Sequence, residues 1–194
     1  MVKRGIVILI AATLAGSALS DPLDDATAAY RHGDYATTLE ILLPLADEGN
    51  RAAQHNLGAF FADGQGDYAE AERWFRMAAD RGLAESQFNM GVLYQSGRGV
   101  PQDYHQSAIW YRNAADHGHA RAQLNLGAMY ANGEGVPRDY VEAYKWLNLA
   151  AAHLPPSQSE SRELAVNGRD QVAARMTPAQ RAEAENLAKA WKPE

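Results

Sequence analysis

Residues 122–151, AQLNLGAMYANGEGVPRDYVEAYKWLNLAA, contain two helical patterns separated by a glycine-rich turn. In the second half, Tyr140, Ala143 and Trp146 recur every three residues, which is typical of the buried stripe of an amphipathic helix. Asp139 stands directly before this stripe, where an N-cap residue is expected. The stretch therefore predicts a helix-turn-helix unit.

The same unit occurs twice more upstream at nearly constant spacing. Tryptophans 36 residues apart mark the second helix of each copy: Trp74, Trp110 and Trp146. An Asn-x-Gly motif marks the first helix, with spacings of 33 and then 36 residues: Asn56, Asn89 and Asn125. The three-residue difference arises in the loop of the first copy, where Gly66 is followed at once by Asp67. A fixed period of this kind is typical of a solenoid.

A degenerate copy precedes the three good ones, and a different pattern follows them. Asp34 lies 33 residues before Asp67, with Ile41 where the tryptophan should be. We predict four segments: a signal peptide at 1–20, the degenerate copy at 21–49, three repeats at 50–153 and capping helices at 154–194. The fold class is all-α, a right-handed superhelical solenoid of about ten helices.

Two capping helices are predicted at the C-terminus, from about residue 158 to 176 and then to about Trp191. Thr177 and Gln180 have the spacing of a capping box, with Pro178 at the first helical position. Leu187 and Trp191 lie four residues apart, on a face that can close the end of the array.

Glycine recurs inside the first helix of every copy: Gly58, Gly91 and Gly127. Glycine in a helix interior costs about 1 kcal/mol relative to alanine. Its repetition at one position predicts a close helix–helix contact that a Cβ atom would block. Other glycines are expected to end the first helices in left-handed conformations: Gly64, Gly97 and Gly133.

These residues resemble the Sel-one-like repeat, a helical relative of the tetratricopeptide repeat. The resemblance covers residues 34–153 and includes the Leu-Gly, Gly-x-Gly-Val, Asp-Tyr, Trp and double-alanine elements. It implies an adaptor or scaffold whose concave face holds a protein or peptide, without a cofactor. Some exported, cysteine-rich members are linked to β-lactam binding or hydrolysis, which leaves a hydrolase of the cell wall or of β-lactams as the alternative. This chain lacks cysteine and any Ser-x-x-Lys motif, so we expect no enzymatic activity.

The first twenty residues have the pattern of a secretory signal peptide. Lys3 and Arg4 precede an uncharged stretch, GIVILIAATLAGSA, at 5–18. Fourteen residues are too few for a membrane anchor, which needs roughly 20. We predict cleavage after Ser20 and a periplasmic or secreted protein without a membrane span.

The charge balance argues against nucleic acid as a partner. The chain has 18 Lys and Arg against 24 Asp and Glu, and loss of Lys3 and Arg4 would leave a net charge of about −8. Phosphate backbones are bound by clustered cations, and no basic cluster is evident. We expect a monomer that binds a protein partner, either of the same cell or of a host.

Two features of the first helices are candidates for partner binding. The asparagines Asn56, Asn89 and Asn125 either contact a bound peptide backbone or make structural hydrogen bonds. The second feature is an apolar stripe: His55, Ala59, Phe88, Val92, Leu124 and Ala128. This stripe either packs between repeats or lines a groove for an apolar segment of the partner. The tryptophans and helix-interior glycines are predicted to be structural.

Metal binding and catalysis find little support in the residue pattern. His117, His119 and His153 lie at turns or near a helix end, and one repeat separates the first from the last. That separation, roughly 10 Å between packed helices, is too large for one zinc ion with ligands at about 2 Å. No pair of acids has the arrangement of a general acid and base. The Gly-x-Gly segments are expected to be turns between helices.

The predicted signal peptide can be tested by expression in a Gram-negative host. We expect the soluble envelope fraction to contain a chain beginning at Asp21, measured by intact mass spectrometry. An uncleaved chain that stays in the membrane fraction would contradict the prediction and favour an anchor.

Overall fold

A run of antiparallel helices forms the described part of the chain. The structure is a computed structural model that describes residues 21–194, so the predicted signal peptide at 1–20 lies outside it. Residues 21–194 contain ten α-helices and no strand. Their bounds are α1 Pro22–Arg31, α2 Tyr35–Asp47, α3 Arg51–Ala59, α4 Tyr68–Ala79, α5 Ala84–Ser96, α6 Tyr104–Asp116, α7 Ala120–Asn132, α8 Tyr140–His153, α9 Ser159–Ala173 and α10 Pro178–Ala190.

The helices form a right-handed superhelical solenoid, in agreement with the predicted fold class. Each repeat pairs its first helix, which we call the inner helix, with its second, the outer helix: α3 with α4, α5 with α6, and α7 with α8. The degenerate copy pairs α1 with α2 in the same way, so that α2 is its outer helix. The repeated aspartates cap the outer helices as predicted. Asp67 accepts from the Glu70 amide at 3.1 Å, and Asp103 and Asp139 each accept from two amides of the first turn.

The shortened loop of the first repeat changes how its inner helix ends. After α3 the chain continues as a π-helix, Phe60–Gln65, and stops at Gly66 with φ of 69°. Gly97 and Gly133 end α5 and α7 in the predicted left-handed conformation. Gly64 was expected to do the same and does not, because the π-helix moves the left-handed residue to Gly66.

Each helix-interior glycine touches a large side chain of the outer helix in its own repeat. A Cβ atom on Gly58 would lie 2.5 Å from the Phe75 ring, and one on Gly91 would lie 2.5 Å from the Tyr111 ring. On Gly127 the nearest atom would be Leu147 Cγ at 2.7 Å. These distances are too short for real contacts, so the predicted close approach of the two helices is confirmed.

The three repeat tryptophans lie in the core. Trp74, Trp110 and Trp146 are 3%, 9% and 0% exposed, as a structural role requires. Two of them are covered by an arginine of the preceding outer helix. The Arg76 guanidinium carbon lies 5.8 Å from the Trp110 ring centroid, and that of Arg112 lies 5.7 Å from the Trp146 centroid.

The same two arginines also bind a tyrosine of the inner helix between them. Arg76 donates to Tyr94 Oη at 2.9 Å, and Arg112 donates to Tyr130 Oη. Each arginine therefore joins three consecutive helices, which ties one repeat to the next. The repeated Arg, Tyr and Trp are visible in the sequence, but their contact depends on the superhelical geometry.

The C-terminal helices close the array through a face that differs from the predicted one at Leu187. The capping box between Thr177 and Gln180 is present. Ala184 and Ala188 are the buried residues of α10, whereas Leu187 is 40% exposed, so its expected place in the closing face is wrong. Trp191 does pack on the last repeat, with its ring 6.4 Å from that of Trp146.

Between residues 21 and 194, no helix has both the length and the apolar character needed to cross a bilayer.

The close contact at Gly91 predicts a clear stability effect. Gly91→Ala should lower the free energy of unfolding, because forcing a methyl group into the Tyr111 ring costs about 1–3 kcal/mol, more than the helix-propensity gain of about 1 kcal/mol. Thermal denaturation followed by circular dichroism measures the change.

Gly168→Ala in α9 is the matched control for this prediction. A Cβ atom there would lie 3.4 Å from Leu147 Cδ1, an ordinary contact, so we expect unchanged or higher stability. Equal melting temperatures for Gly91→Ala and Gly168→Ala would contradict the packing account.

Candidate functional site

The inner helices present the repeated asparagines on one continuous face. Asn56, Asn89 and Asn125 occupy equivalent positions of α3, α5 and α7, and all three are half-buried. We call the surface around them the asparagine face. A half-buried amide has donors and an acceptor available at the surface, so this face can supply polar contacts at regular intervals.

Three pockets lie along the asparagine face, and each contains one of the asparagines. The N-terminal pocket has a volume of about 140 Å³ between α1, α2 and α3, and Asn56 lines it. The central pocket, also about 140 Å³, is lined by Asn89 and Val92. The C-terminal pocket is a groove of about 380 Å³ between α7 and α9, lined by Leu124 and Asn125. The structure therefore places seven of the nine candidate residues in pocket linings, all except His55 and Phe88.

Phe88 lies in the core instead. It is 8% exposed and packs on Tyr111, with a distance of 5.7 Å between ring centroids. Its ring also stacks on His119 at 4.5 Å. A Phe88→Asp substitution would bury an unpaired carboxylate, which is strongly destabilising. Phe88 is therefore unsuitable for testing partner binding by substitution.

The rest of the apolar stripe is more accessible than Phe88. His55, Ala59, Val92 and Leu124 are half-buried, and Ala128 is exposed. The two interpretations of the stripe thus apply to different residues, since its centre packs between repeats while its other positions reach the surface.

Asn125 makes a structural contact in addition to lining the groove. Its side chain hydrogen-bonds Tyr111, which also donates to Gln95 Oε1 at 2.8 Å. Burial of Tyr111 raises its pKa to about 12, although hydrogen bonds with Asn125 and Ser107 and the positive charge of Arg121 act to lower it. This phenol therefore stays neutral and holds α6 against α5 and α7.

A second row of amides, buried under the asparagine face, was missed by the sequence analysis. Gln54, Gln87 and Gln123 are 2%, 5% and 0% exposed. Each donates from Nε2 to the carbonyl oxygen eight residues earlier, at 3.0–3.2 Å. These bonds fix each inner helix to the end of the preceding outer helix. The shared spacing of 33 and 36 residues was the signal that could have revealed them.

The histidines that suggested metal-ligand spacing have separate partners. His117 Nδ1 contacts Asn113 O at 2.7 Å, and His153 Nδ1 contacts Gln123 Oε1 at 3.0 Å. His119 caps α7. Among residues 21–194 there is no group of three His, Asp or Glu side chains placed to hold a metal ion.

One pair of side chains has the geometry of a nucleophile and a base. His55 Nδ1 lies 2.9 Å from Ser86 Oγ. Ser86 is 0% exposed, so a substrate could not reach its hydroxyl. Burial lowers the pKa of His55, which keeps the ring neutral as an interior hydrogen-bonding group. The contact joins α3 to α5.

The Sel1 repeat model matches three consecutive segments, residues 51–83, 84–119 and 120–153. These segments make up more than half of the chain. The chain belongs to the Sel1 repeat family. Sel1 repeat proteins are helical scaffolds that generally mediate protein interactions, so the resemblance inferred from the motifs is confirmed.

Two solved structures share the fold. One is a protective antigen present in uropathogenic Escherichia coli strains and displaying an SLR fold, with 34% identity and a TM-score of 0.69. That match covers 81% of this chain and 33% of the antigen, so this chain spans about a third of the antigen's length. The other is a Sel1 repeat protein from Oxalobacter formigenes, with 26% identity, a TM-score of 0.66 and coverage of 86% and 74%. No curated protein is significantly similar to this chain.

His119 leads to a prediction about acid stability. Its Nδ1 accepts from the Ala122 amide at 3.1 Å, which requires an unprotonated Nδ1. Burial is the largest cause of its lowered pKa, Arg121 lowers it further, and Glu85 opposes the shift. The unfolded chain binds a proton at this histidine more readily than the folded chain. The contribution of His119 to stability is therefore fully present above a pH of about 6.5 and is lost as the pH falls below that value.

His119→Asn tests this account, since asparagine caps helices without titrating. We expect the variant to lose less stability than the wild type between pH 7 and pH 5, measured by urea denaturation. His32→Asn, at an exposed position after α1, is the control and should retain the wild-type pH dependence. An unchanged pH dependence in His119→Asn would contradict the prediction.

Proposed function

We propose that this chain is an exported scaffold that binds a protein partner on the concave face of its superhelix, using the asparagine face. The observation that carries the proposal is the row of three pockets, each lined by an asparagine at the same repeat position. Repetition of a polar group beside an apolar pocket suits a polypeptide, because its backbone offers hydrogen-bonding groups at every residue.

The rigidity of the inner helices supports a preformed binding surface. Gln87 and Gln123 fix α5 and α7 to the outer helices before them, and Arg76 and Arg112 join successive repeats. A preorganised surface loses little conformational entropy on binding. Affinity would then come from a few apolar anchors in the pockets, with the asparagines setting the register of the bound chain.

Export of the chain, to the periplasm or the medium, is part of the proposal. It rests on the basic and apolar pattern of the first twenty residues and on the small residues Ala18 and Ser20. The acidic net charge favours a neutral or basic partner.

Ala128→Glu is the variant that tests the binding face. Ala128 is exposed on α7 and lines the C-terminal groove, so a glutamate there blocks the groove at little cost in stability. The wild-type chain should capture a partner from an envelope extract, and the variant should capture at least tenfold less of it. Quantitative mass spectrometry measures the captured amount.

Ala36→Glu is the matched control for the capture experiment. Ala36 is exposed in the first turn of the outer helix α2, where an acidic residue is favourable, and it lines none of the three pockets. Both variants should have the melting temperature of the wild type. Equal capture by the wild type and Ala128→Glu would place the binding surface elsewhere.

A further inference from the structure

The C-terminal groove differs from the other two pockets in size and in its lining. Its volume of about 380 Å³ falls within the range of about 300–1,000 Å³ seen for ligand pockets, whereas the other two pockets are smaller. Leu124, Leu147 and Val172 supply apolar surface. Leu164 also lines the groove and is 58% exposed, which makes it the most exposed large apolar side chain among residues 21–194.

The charge of the groove is opposite in sign to that of the chain. Asn125, Asn132 and Gln171 are its polar side chains, and Arg175 is the only charged one. Acids exceed cations by 24 to 18 in the whole sequence, yet no acid lines this groove. Glu134 accepts a hydrogen bond from Asn132 Nδ2 at 3.1 Å. A groove with an apolar lining and one guanidinium is complementary to an apolar group that carries a negative charge.

Tyr140 supports the guanidinium of Arg175. Arg175 Nη1 donates to Tyr140 Oη at 3.3 Å, and its guanidinium carbon lies 5.9 Å from the ring centroid. A guanidinium has five N–H donors, so this single bond leaves the paired donors that bind a carboxylate. Arg138 lies 5.8 Å from the same ring centroid and adds positive charge. The hydrogen bond from Arg175 and both positive charges lower the pKa of Tyr140.

We propose that this groove binds the C-terminal residue of a partner polypeptide, with an apolar side chain in the groove and the free carboxylate on Arg175. The inference rests on the proposed function and names the chemistry of one subsite. Only a terminal residue carries an apolar side chain and a carboxylate on the same Cα atom. In an extended internal segment, neighbouring side chains point to opposite faces, and the nearest acidic side chain on the same face lies two residues, about 7 Å, away.

A matched pair of peptides tests the inference on the purified chain. The probe is fluorescein-labelled Gly-Ser-Gly-Ser-Ala-Leu with a free carboxylate, compared by fluorescence anisotropy with the same peptide ending in an amide. We expect the amide to bind at least about tenfold more weakly, because a charge-assisted hydrogen bond is lost. Leu164→Ser should weaken the binding of both peptides to the same extent, because Leu164 contributes apolar surface to the groove.

Arg175→Gln should weaken binding of the free-acid peptide by about tenfold and leave binding of the amide peptide unchanged. Arg31→Gln is the control, since Arg31 is an exposed arginine at the end of α1 and should have no effect. Equal binding of acid and amide, or binding of the acid that survives Arg175→Gln, would overturn the inference.

Two further outcomes would also overturn it. One is the failure of both peptides to bind while Ala128→Glu still abolishes partner capture, in which case the proposed function stands without this subsite. The other is Arg175-dependent binding of labelled decanoate in the absence of peptide binding, which would assign the groove to a fatty acid.

Discussion

The close approach of two helices within each repeat is the constraint on which the rest of the structure depends. The backbone of the inner helix meets a ring or a branched side chain of the outer helix at Gly58, Gly91 and Gly127. Any side chain there would push the helices apart and shift the inner helix relative to its neighbours. Because the asparagine of each repeat lies two residues before the glycine, this contact also sets where the amide stands on the inner face.

Much of the architecture followed from local rules, and the binding surface followed only in part. Capping aspartates, the capping box at Thr177 and the helix-interior glycines are short-range features, so their spacing was enough to predict them. The burial of Phe88 could not be predicted from such local rules. Phe88 shares a repeat position with Leu124, which lines the C-terminal groove, but His119 stacks on its ring and it is buried. Burial at such a position depends on the side chains of the neighbouring repeat. The hydrophobic pattern within one helix carries no information about those contacts.

Deviations between repeats had consequences that the pattern could not predict. Deletion of three loop residues produced a π-helix in place of a regular turn, and moved the left-handed residue from the expected Gly64 to Gly66. At the other end, α9 takes the place next to α7 where a fourth inner helix would stand, and the groove lies between these two helices. The largest opening of the asparagine face thus occurs where the repeat ends.

Binding of a polypeptide to the asparagine face can be measured by hydrogen–deuterium exchange on the complex with a captured partner. We expect slower amide exchange in α3, α5, α7 and α9 on binding, with little change in the outer helices α2, α4 and α6. Protection confined to those outer helices, with α5 and α7 unchanged, would contradict it.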